Sequence, residues 1–572
     1  MHTGDLLVEM LCAYGVEHVF GLISAHWPLY EAIHRRPHQI RHILVRDERN
    51  AAYAADGYAR VSGKIGVCDA TLGPGAIKLV SGLVEAYNSS IPVLSIADDL
   101  PLEWVHLADR GCAAQGMDQL RILESVAKWS ALAPNQERLP ELLRLALAQA
   151  TSGRPGPAVL SIPVNLLTQA WAPGSPASWA RPAHGRFPSS RAYPAPDDVE
   201  RAAALLSQAQ RPLILAGGGV QVSGAQAPLR ALAEAAGIPV ATTVSGKGAL
   251  AENSPLSAGV AGSQYGDPCA NALLAEADLV LLVGCKCSQR TFDWGAPAGQ
   301  QRFLHLDVDP AEIGKLYPVE VGLVADARAG LECLVAALAD RPQAERSRWL
   351  RRLHDARQGW RTQLAAEMAR SGRPIPPQWV MGQLRRLLGP DDVVVTDASF
   401  SIGWAVSYLE SQRDGAKFLF PRGAAGLGFS LGAAMGARLA QPQGQVVAIT
   451  GDGGFGYCLM ELCTLRKYDL NVKVVLLNNS ALSYNRLATR LRGDEDFQSV
   501  TFPDINYAQV AQGFGVAGLR VEEPGALPGA LRTAWETPGP ALLDIVTDGW
   551  QTPELKLREA LERLQGQERQ AA

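Results

Sequence analysis

Short, almost wholly apolar runs recur along this chain with helical patterns between them, and that alternation limits the folds open to it. Residues 43–46, 66–70, 212–216, 279–283, 303–308, 446–450 and 472–477 read as strands. Most are apolar throughout, as strands covered on both faces are. Strands separated by helices feed parallel sheets through crossover connections, so the expected class is α/β with doubly wound parallel sheets. In open sheets of this kind ligands collect beyond the carboxyl ends of the strands, so the residues just after each run carry the most information.

Two stretches interrupt the pattern: residues 173–197, dense in Pro, Ser and Ala, and residues 372–378, which read GRPIPPQ. They divide the 572 residues into three segments of about 170 each, the usual size of a domain. The expected domains are 1–172, 190–340 and 373–550, followed by a charged helical tail, 551–572, that reads as a surface flap or lid. Apolar residues at 47% and charged residues at 19% exclude a disordered or fibrous chain. A net charge of -4 without a Lys/Arg block leaves no footprint for nucleic acid or a membrane surface, so the expected partner is a small molecule. The nine cysteines lack zinc-site spacing, even in the pairs Cys285/Cys287 and Cys458/Cys463, and read as reduced core thiols. No run of about 18 apolar residues could span a membrane. Asp5 and Glu9 interrupt the opening stretch as no signal peptide allows, so the expected location is cytoplasmic.

The strongest motif is Gly451-Asp452-Gly453, directly after the run 446–450. Twenty-four residues later Asn478-Asn479 closes the run 472–477. A tight turn explains the first element alone, but not the second at this spacing. The pair puts a carboxylate and two carboxamides at the ends of two strands joined by a helix. Mg²⁺ takes about six hard oxygen ligands, several of them from phosphates, and Asp452 and Asn479 offer two. The glycines let backbone approach a diphosphate, whose charge a following helix N-terminus favours. In the first segment Glu48 stands at a strand end and a helix start, a place that also suits a carboxylate stabilised by the helix dipole.

GDG followed by NN resembles the signature of thiamine diphosphate enzymes, and the resemblance extends over nearly the whole chain. It implies three metal ligands, Asp452, Asn479 and the Ala481 carbonyl, with Asn478 bracing the loop and Gly451 and Gly453 lining the diphosphate. The stretch RDERNAAYAADGYARVSGKIGV is similar to acetolactate synthase and its relatives, and Glu48 falls on their catalytic glutamate, which drives the cofactor's own proton relay. Asp47 stands where those relatives usually have His. In TLGPGAIKLVSGLVEAY the match puts Thr71 and Gly73 near the pyrimidine, though a turn would use the same residues. In PRGAAGLGFSLGAAMGA it makes Leu427 the bulky side chain that bends the cofactor, and it places Ala398 and Ser399 at the diphosphate.

Other positions bear on the reaction. Tyr484, beside the cofactor, replaces a methionine of acetolactate synthase, Ala488 a tryptophan and Ala114 a phenylalanine. Ala25-His26, Gln115 with the following GMDQ, and Lys128-Trp129 instead resemble benzaldehyde lyase, which would give His26 and Gln115 proton transfer at the substrate oxygen. The expected function is a carbon–carbon lyase or carboligase acting on 2-oxo acids, aldehydes or 2-hydroxy carbonyl compounds through an enamine or carbanion. The alternatives are acetolactate synthase, oxalyl-CoA decarboxylase and 2-hydroxyacyl-CoA lyase. In the middle segment, AGGGVQVSG and FLHLDVDPAEIG resemble the part of the family that holds FAD, ADP or nothing, with Asp307 at a strand end where a ribose would sit. The resemblance also implies a homodimer or homotetramer with active sites between subunits.

Overall fold

The computed structural model describes residues 1–23, 27–108, 111–171, 179–292, 301–493 and 498–571, with side chains as far as 564. The strands form three six-stranded parallel sheets. The first has β1 (His18–Gly21), β2 (Arg41–Leu44), β3 (Gly66–Ala70), β4 (Val93–Asp99), β5 (Trp129–Leu132) and β6 (Ala158–Pro163), in the order β2-β1-β3-β4-β6-β5. The second has β7 (Pro212–Ala216), β8 (Val240–Thr242), β9 (Ser257–Val260), β10 (Leu279–Val283), β11 (Arg302–Asp307) and β12 (Val321–Val324), in the order β12-β11-β10-β7-β8-β9. The third has β13 (Val393–Thr396), β14 (Lys417–Leu419), β15 (Val446–Gly451), β16 (Val472–Asn478), β17 (Ala517–Val521) and β18 (Ala541–Val546), in the order β14-β13-β15-β16-β18-β17. Each order reverses direction near its middle, at β1/β3, β7/β10 and β13/β15, leaving a crevice at the strand ends.

β3, β7 and β10 coincide with the runs read from the sequence, and β16 continues one residue further, to Asn478. β2 ends two residues early, because the Arg46 N–H donates to the Glu461 carboxylate instead of to a neighbouring strand. The two Pro-rich stretches are shorter as linkers than expected. Helices Pro196–Gln208 and Pro377–Arg385 begin inside them, each with proline in the first turn, where its missing N–H has no helical partner to lose.

The chain divides into two compact units. One comprises Met1–Ser190, Pro421–Pro442 and Cys458–Val472; the other comprises Arg191–Phe420, Gln443–Tyr457 and Lys473–Ala572. In the first unit, helix Phe429–Ala440, which belongs to the third segment by chain order, lies along helix Glu48–Ser62. Glycine permits that approach: a Cβ on Gly57 would overlap the Ala433 carbonyl oxygen, and one on Gly436 the Ala54 carbonyl oxygen. The Tyr53 and Phe429 rings meet edge to face at 5.2 Å along the same seam.

The second unit holds the other two sheets. Its terminal helix, Leu555–Ala571, corrects the reading of the tail as a surface flap. Leu561 is buried in the core cluster of the third sheet and Leu557, one turn earlier, packs against that cluster. Arg558 donates to Glu367 Oε1 at 2.9 Å and to Tyr408 Oη at 3.1 Å. Two leucines on one face thus outweigh a charged average. Among the described residues no helix is long and apolar enough to cross a membrane.

Gly436→Ala is predicted to destabilise the protein by about 1–3 kcal/mol, the usual cost of overpacking, because the overlapping atom is backbone. Denaturant unfolding measures this, and an unchanged midpoint would contradict the account of the helix seam.

Candidate active site

In the first unit Glu48 opens its helix and is 3% exposed. Asp47 caps that helix, its Oδ1 accepting the Arg49 N–H at 2.9 Å. Burial raises the Asp47 pKa, but the Arg49 side-chain and backbone bonds outweigh it and hold the carboxyl below its ordinary range. The approach to Glu48 is pinned from the third segment. The buried Glu461 Oε1 accepts the Arg46 N–H at 2.9 Å and Asn50 Nδ2 at 3.0 Å, while Tyr468 Oη accepts the Leu44 N–H at 2.9 Å. Burial pushes the Glu461 carboxyl above its ordinary value against these bonds. Glu461 and Tyr468 do this work unannounced by any local pattern, because their partners lie over 400 residues away.

The turn after β3 wraps the other side of Glu48. A Cβ on Gly75 would stand 2.7 Å from Thr71 Cγ2 and 3.1 Å from Glu48 Oε1, so both predicted residues border one spot. The Lys78 ammonium, on the helix that follows, donates to Glu48 Oε2 at 3.1 Å. Gly73, at φ +66, donates its N–H to the buried Gln119 Oε1 at 2.7 Å. Gln119 also donates to Ser161 Oγ at 3.2 Å and to the Asp98 carbonyl. Gln119 therefore fixes this loop. Gln115 is exposed at φ +61, and its backbone carbonyl is the part that meets Gly73. Leu427 is half-buried in the loop before helix Phe429–Ala440. The loop is held by Glu85, which accepts the Gly423 and Ala424 N–H groups at 2.8 and 2.7 Å and Arg60 Nη2 at 3.2 Å. His26 and Ala25 lie outside the described residues.

The second unit carries the GDG and NN motifs. Asp452 follows Gly451, the last residue of β15, and is 3% exposed. Its Oδ1 accepts the Gly453 N–H at 2.9 Å and its Oδ2 the Asn479 N–H at 3.2 Å. Burial pushes this carboxyl up to about 6, against the opposing backbone donors of Gly453, Ser480, Asn479 and Ala481. No cationic side chain among the described residues pairs with it. Beside it, Asn479 Oδ1 is buried without a hydrogen-bond partner. Ala481 is held between two backbone bonds, Leu482 N–H to Val500 O at 2.8 Å and Phe502 N–H to Ser480 O at 2.7 Å. Asn478 turns away as a brace, donating to Asp544 Oδ1 at 2.8 Å and Ile505 O at 3.0 Å. A carboxylate lacking a cation and a carboxamide oxygen lacking a donor are the hard ligands Mg²⁺ takes. Among the described residues no group of three His, Cys, Asp or Glu could hold a metal.

The remaining predicted residues of this unit converge on the neighbouring strand end. Asp397, after β13, accepts the Ala398 N–H at 2.9 Å, and Gly454 packs directly on its carboxylate. Ser399, at φ +66, opens helix Phe400–Tyr408, and its carbonyl accepts Tyr265 Oη at 3.1 Å. Tyr484 lies edge-on to Phe400 at 5.7 Å. Ala398, Ser399 and Tyr484 thus gather around the β13/β15 reversal. In the second sheet, Gly217 and Gly219 pack against the Gly284 backbone, and the Asp307 carboxylate accepts the Asp309 N–H at 3.0 Å. The glycine run there serves contact between strand ends.

Three thiamine pyrophosphate enzyme family models match the chain: the N-terminal TPP binding domain at residues 1–122, the central domain at 199–334 and the C-terminal TPP binding domain at 397–545. The chain belongs to the thiamine pyrophosphate enzyme family. It is a thiamine diphosphate-dependent enzyme of the carboligation and decarboxylation class. It is 33% identical to a probable acetolactate synthase large subunit of Methanocaldococcus jannaschii, over 96% of this chain and 92% of that protein. It is 34% identical to the chloroplastic acetolactate synthase 1 of Oryza sativa subsp. japonica, over 95% and 84%. It is 33% identical to the acetolactate synthase isozyme 2 large subunit of Escherichia coli, over 96% of each.

Glu461→Gln is predicted to lower stability by about 1–3 kcal/mol, since it weakens an acceptor that holds two buried donors. Hydrogen exchange at the Arg46 amide should speed up with it; unchanged protection there would contradict the pinning of the Glu48 approach.

Proposed function

We propose that the chain is a Mg²⁺-assisted carboligase or carbon–carbon lyase of 2-oxo acids, aldehydes or 2-hydroxy carbonyl compounds. The observation that carries the metal assignment is the unpartnered Asn479 Oδ1 beside the buried Asp452 carboxylate. In this reading Asp452, Asn479 and the Ala481 carbonyl hold the cation, while Gly451, Gly453, Ala398 and Ser399 line the diphosphate. Thiamine diphosphate, when bound, supplies an acidic carbon and an electron sink. Glu48 exchanges a proton with the pyrimidine N1′, with Thr71 and Gly73 beside it, and Leu427 sets the cofactor's bend. Burial keeps water from competing for the Glu48 carboxylate, and the pinned helix start fixes its direction. His26 and Gln115 move protons at the substrate oxygen. Glu48 of one subunit serves the cofactor held by another, in a homodimer or homotetramer working in the cytoplasm. The second sheet holds FAD, ADP or no nucleotide.

The names of the relatives favour a second reading, acetolactate synthase. Tyr484 and Ala488 favour the first, because a small residue at 488 leaves the acceptor side open to partners other than a second 2-oxo acid.

Glu48→Gln should leave fold and assembly intact and slow C2 proton exchange of bound cofactor by about 10²- to 10⁴-fold. Exchange at the wild-type rate, followed by NMR, would remove Glu48 from the relay. With product identification across a substrate panel, ligation of an aldehyde acceptor or cleavage of an acyloin should outpace acetolactate formation from pyruvate alone. Faster acetolactate formation would return the second reading.

A further inference from the structure

We propose that Lys78 is a positioning residue for the proton relay: its ammonium supplies the counter-charge that lets Glu48 work from a buried position. This rests on Glu48 being the relay carboxylate. Glu48 is 3% exposed, and a carboxylate so far from water is costly unless a cation or several donors meet it. Among the described residues one side chain donates to it, the Lys78 ammonium, 3.1 Å from Oε2. Lys78 ends helix Pro74–Lys78, and its side chain is 47% exposed, so the charge reaches inward from the surface to a buried partner.

The two carboxylate oxygens have different neighbours. Oε2 takes the ammonium, while Oε1 lies where a Cβ on Gly75 would stand 3.1 Å away, against glycine backbone that offers no competing side chain. A carboxylate has about four lone-pair sites, so one bond to lysine leaves room for the pyrimidine N1′. An ammonium on a flexible stem supplies charge without dictating the plane of its partner, as an arginine fork would. The direction of the carboxylate thus stays with the pinned helix start, and Lys78 adds the charge.

The surrounding charges leave this task to Lys78. Arg49 is committed to Asp47, donating to Oδ1 from Nε at 2.9 Å and to Oδ2 from Nη2 at 3.2 Å. Asp47 stands where the related enzymes usually have His, so this chain sets a second acid beside Glu48. Burial raises the Asp47 carboxyl, and the Arg49 bonds, together with the charges of Arg49 and Lys78, hold it below its ordinary range. Glu461 is met by the Arg46 N–H, Asn50 and Thr464 and brings no cation. Asp69 is bonded by His42 and Tyr30, and Asp56 and Glu85 by Arg60.

The test uses full-length protein loaded with Mg²⁺ and thiamine diphosphate isotope-labelled at N1′, with nitrogen NMR and C2 proton exchange followed across pH. An opposite charge within hydrogen-bond reach favours the charged form of a carboxylate, so removing it should move the acid limb of the exchange profile upward. For Lys78→Met the expected displacement is about one pH unit, the low end for one neighbouring charge, because the lysine is half exposed. On that limb exchange should be about tenfold slower and should recover at higher pH, while the N1′ resonance moves toward its unprotonated position. Lys78→Arg, which keeps the charge, should stay close to wild type, and Lys78→Gln decides the matter if the methionine variant does not fold. An unmoved limb with an unmoved N1′ resonance would overturn the proposal. So would an equal loss at every pH, which marks a merely structural role, or an arginine variant displaced as far as the methionine one. Loss of cofactor from Lys78→Met, measured by calorimetry, would also overturn it by assigning the ammonium to cofactor binding. Glu48→Gln separates the parent reading: wild-type exchange there removes Glu48 from the relay, whatever the Lys78 variants do.

Discussion

A strand covered on both faces makes charge along its length costly, so the exceptions are paired: Lys473 of β16 donates to the Thr537 and Gly539 carbonyls, and Asp544 of β18 accepts from Arg520. In a parallel sheet the polar chemistry is therefore pushed to the strand ends, and the reversal of strand order opens a crevice where those ends meet. Asp452 shows the force of that constraint. Its carboxylate is almost fully buried, surrounded by backbone donors and pushed up to about 6, a cost that a divalent cation would offset. The orphaned Asn479 oxygen beside it repeats the argument with a neutral group. Both features are unfavourable in an empty protein and sensible in one that holds a cation and a phosphate.

The first unit solves a different problem, that of aiming one carboxylate. Glu48 owes its place to contacts from far along the chain: Glu461 and Tyr468 hold the strand exit, and the seam of Gly57 and Gly436 fixes the helix. Glu85 orders the loop carrying Leu427 and is drawn into a buried charge group, in which Arg60 also donates to Asp56 at 2.6 Å. Burial pushes Asp56 up to about 6 even with that arginine beside it. The cost of desolvating such a buried group offsets much of its internal attraction, so it adds little net stability.

What could be read from the sequence follows from range. The strand ends and the GDG and NN spacing are local, and β3, β7 and β10 fall where their apolar runs end. Asp452 and Asn479 meet because one crossover joins β15 to β16, so counting residues sufficed. Glu85 and Glu461 were not legible, since a buried polar side chain is recognised by its partner and the partner is distant in sequence. Gln115 stands beside Gln119 in one motif, but its side chain is exposed while that of Gln119 is buried against the Gly73 loop. The terminal helix misled for another reason: its charge dominates any average, while two leucines decide its packing.

The central claim is that the Asp452–Asn479 cluster binds thiamine diphosphate through a divalent cation. Calorimetric titration of metal-free protein with thiamine diphosphate, in the presence and absence of Mg²⁺, addresses it most directly. Saturable binding that weakens at least about tenfold without the cation, as the loss of a cation bridging carboxylate and phosphate requires, is the predicted result. Binding of equal strength with and without Mg²⁺, or no binding in either case, would contradict the account.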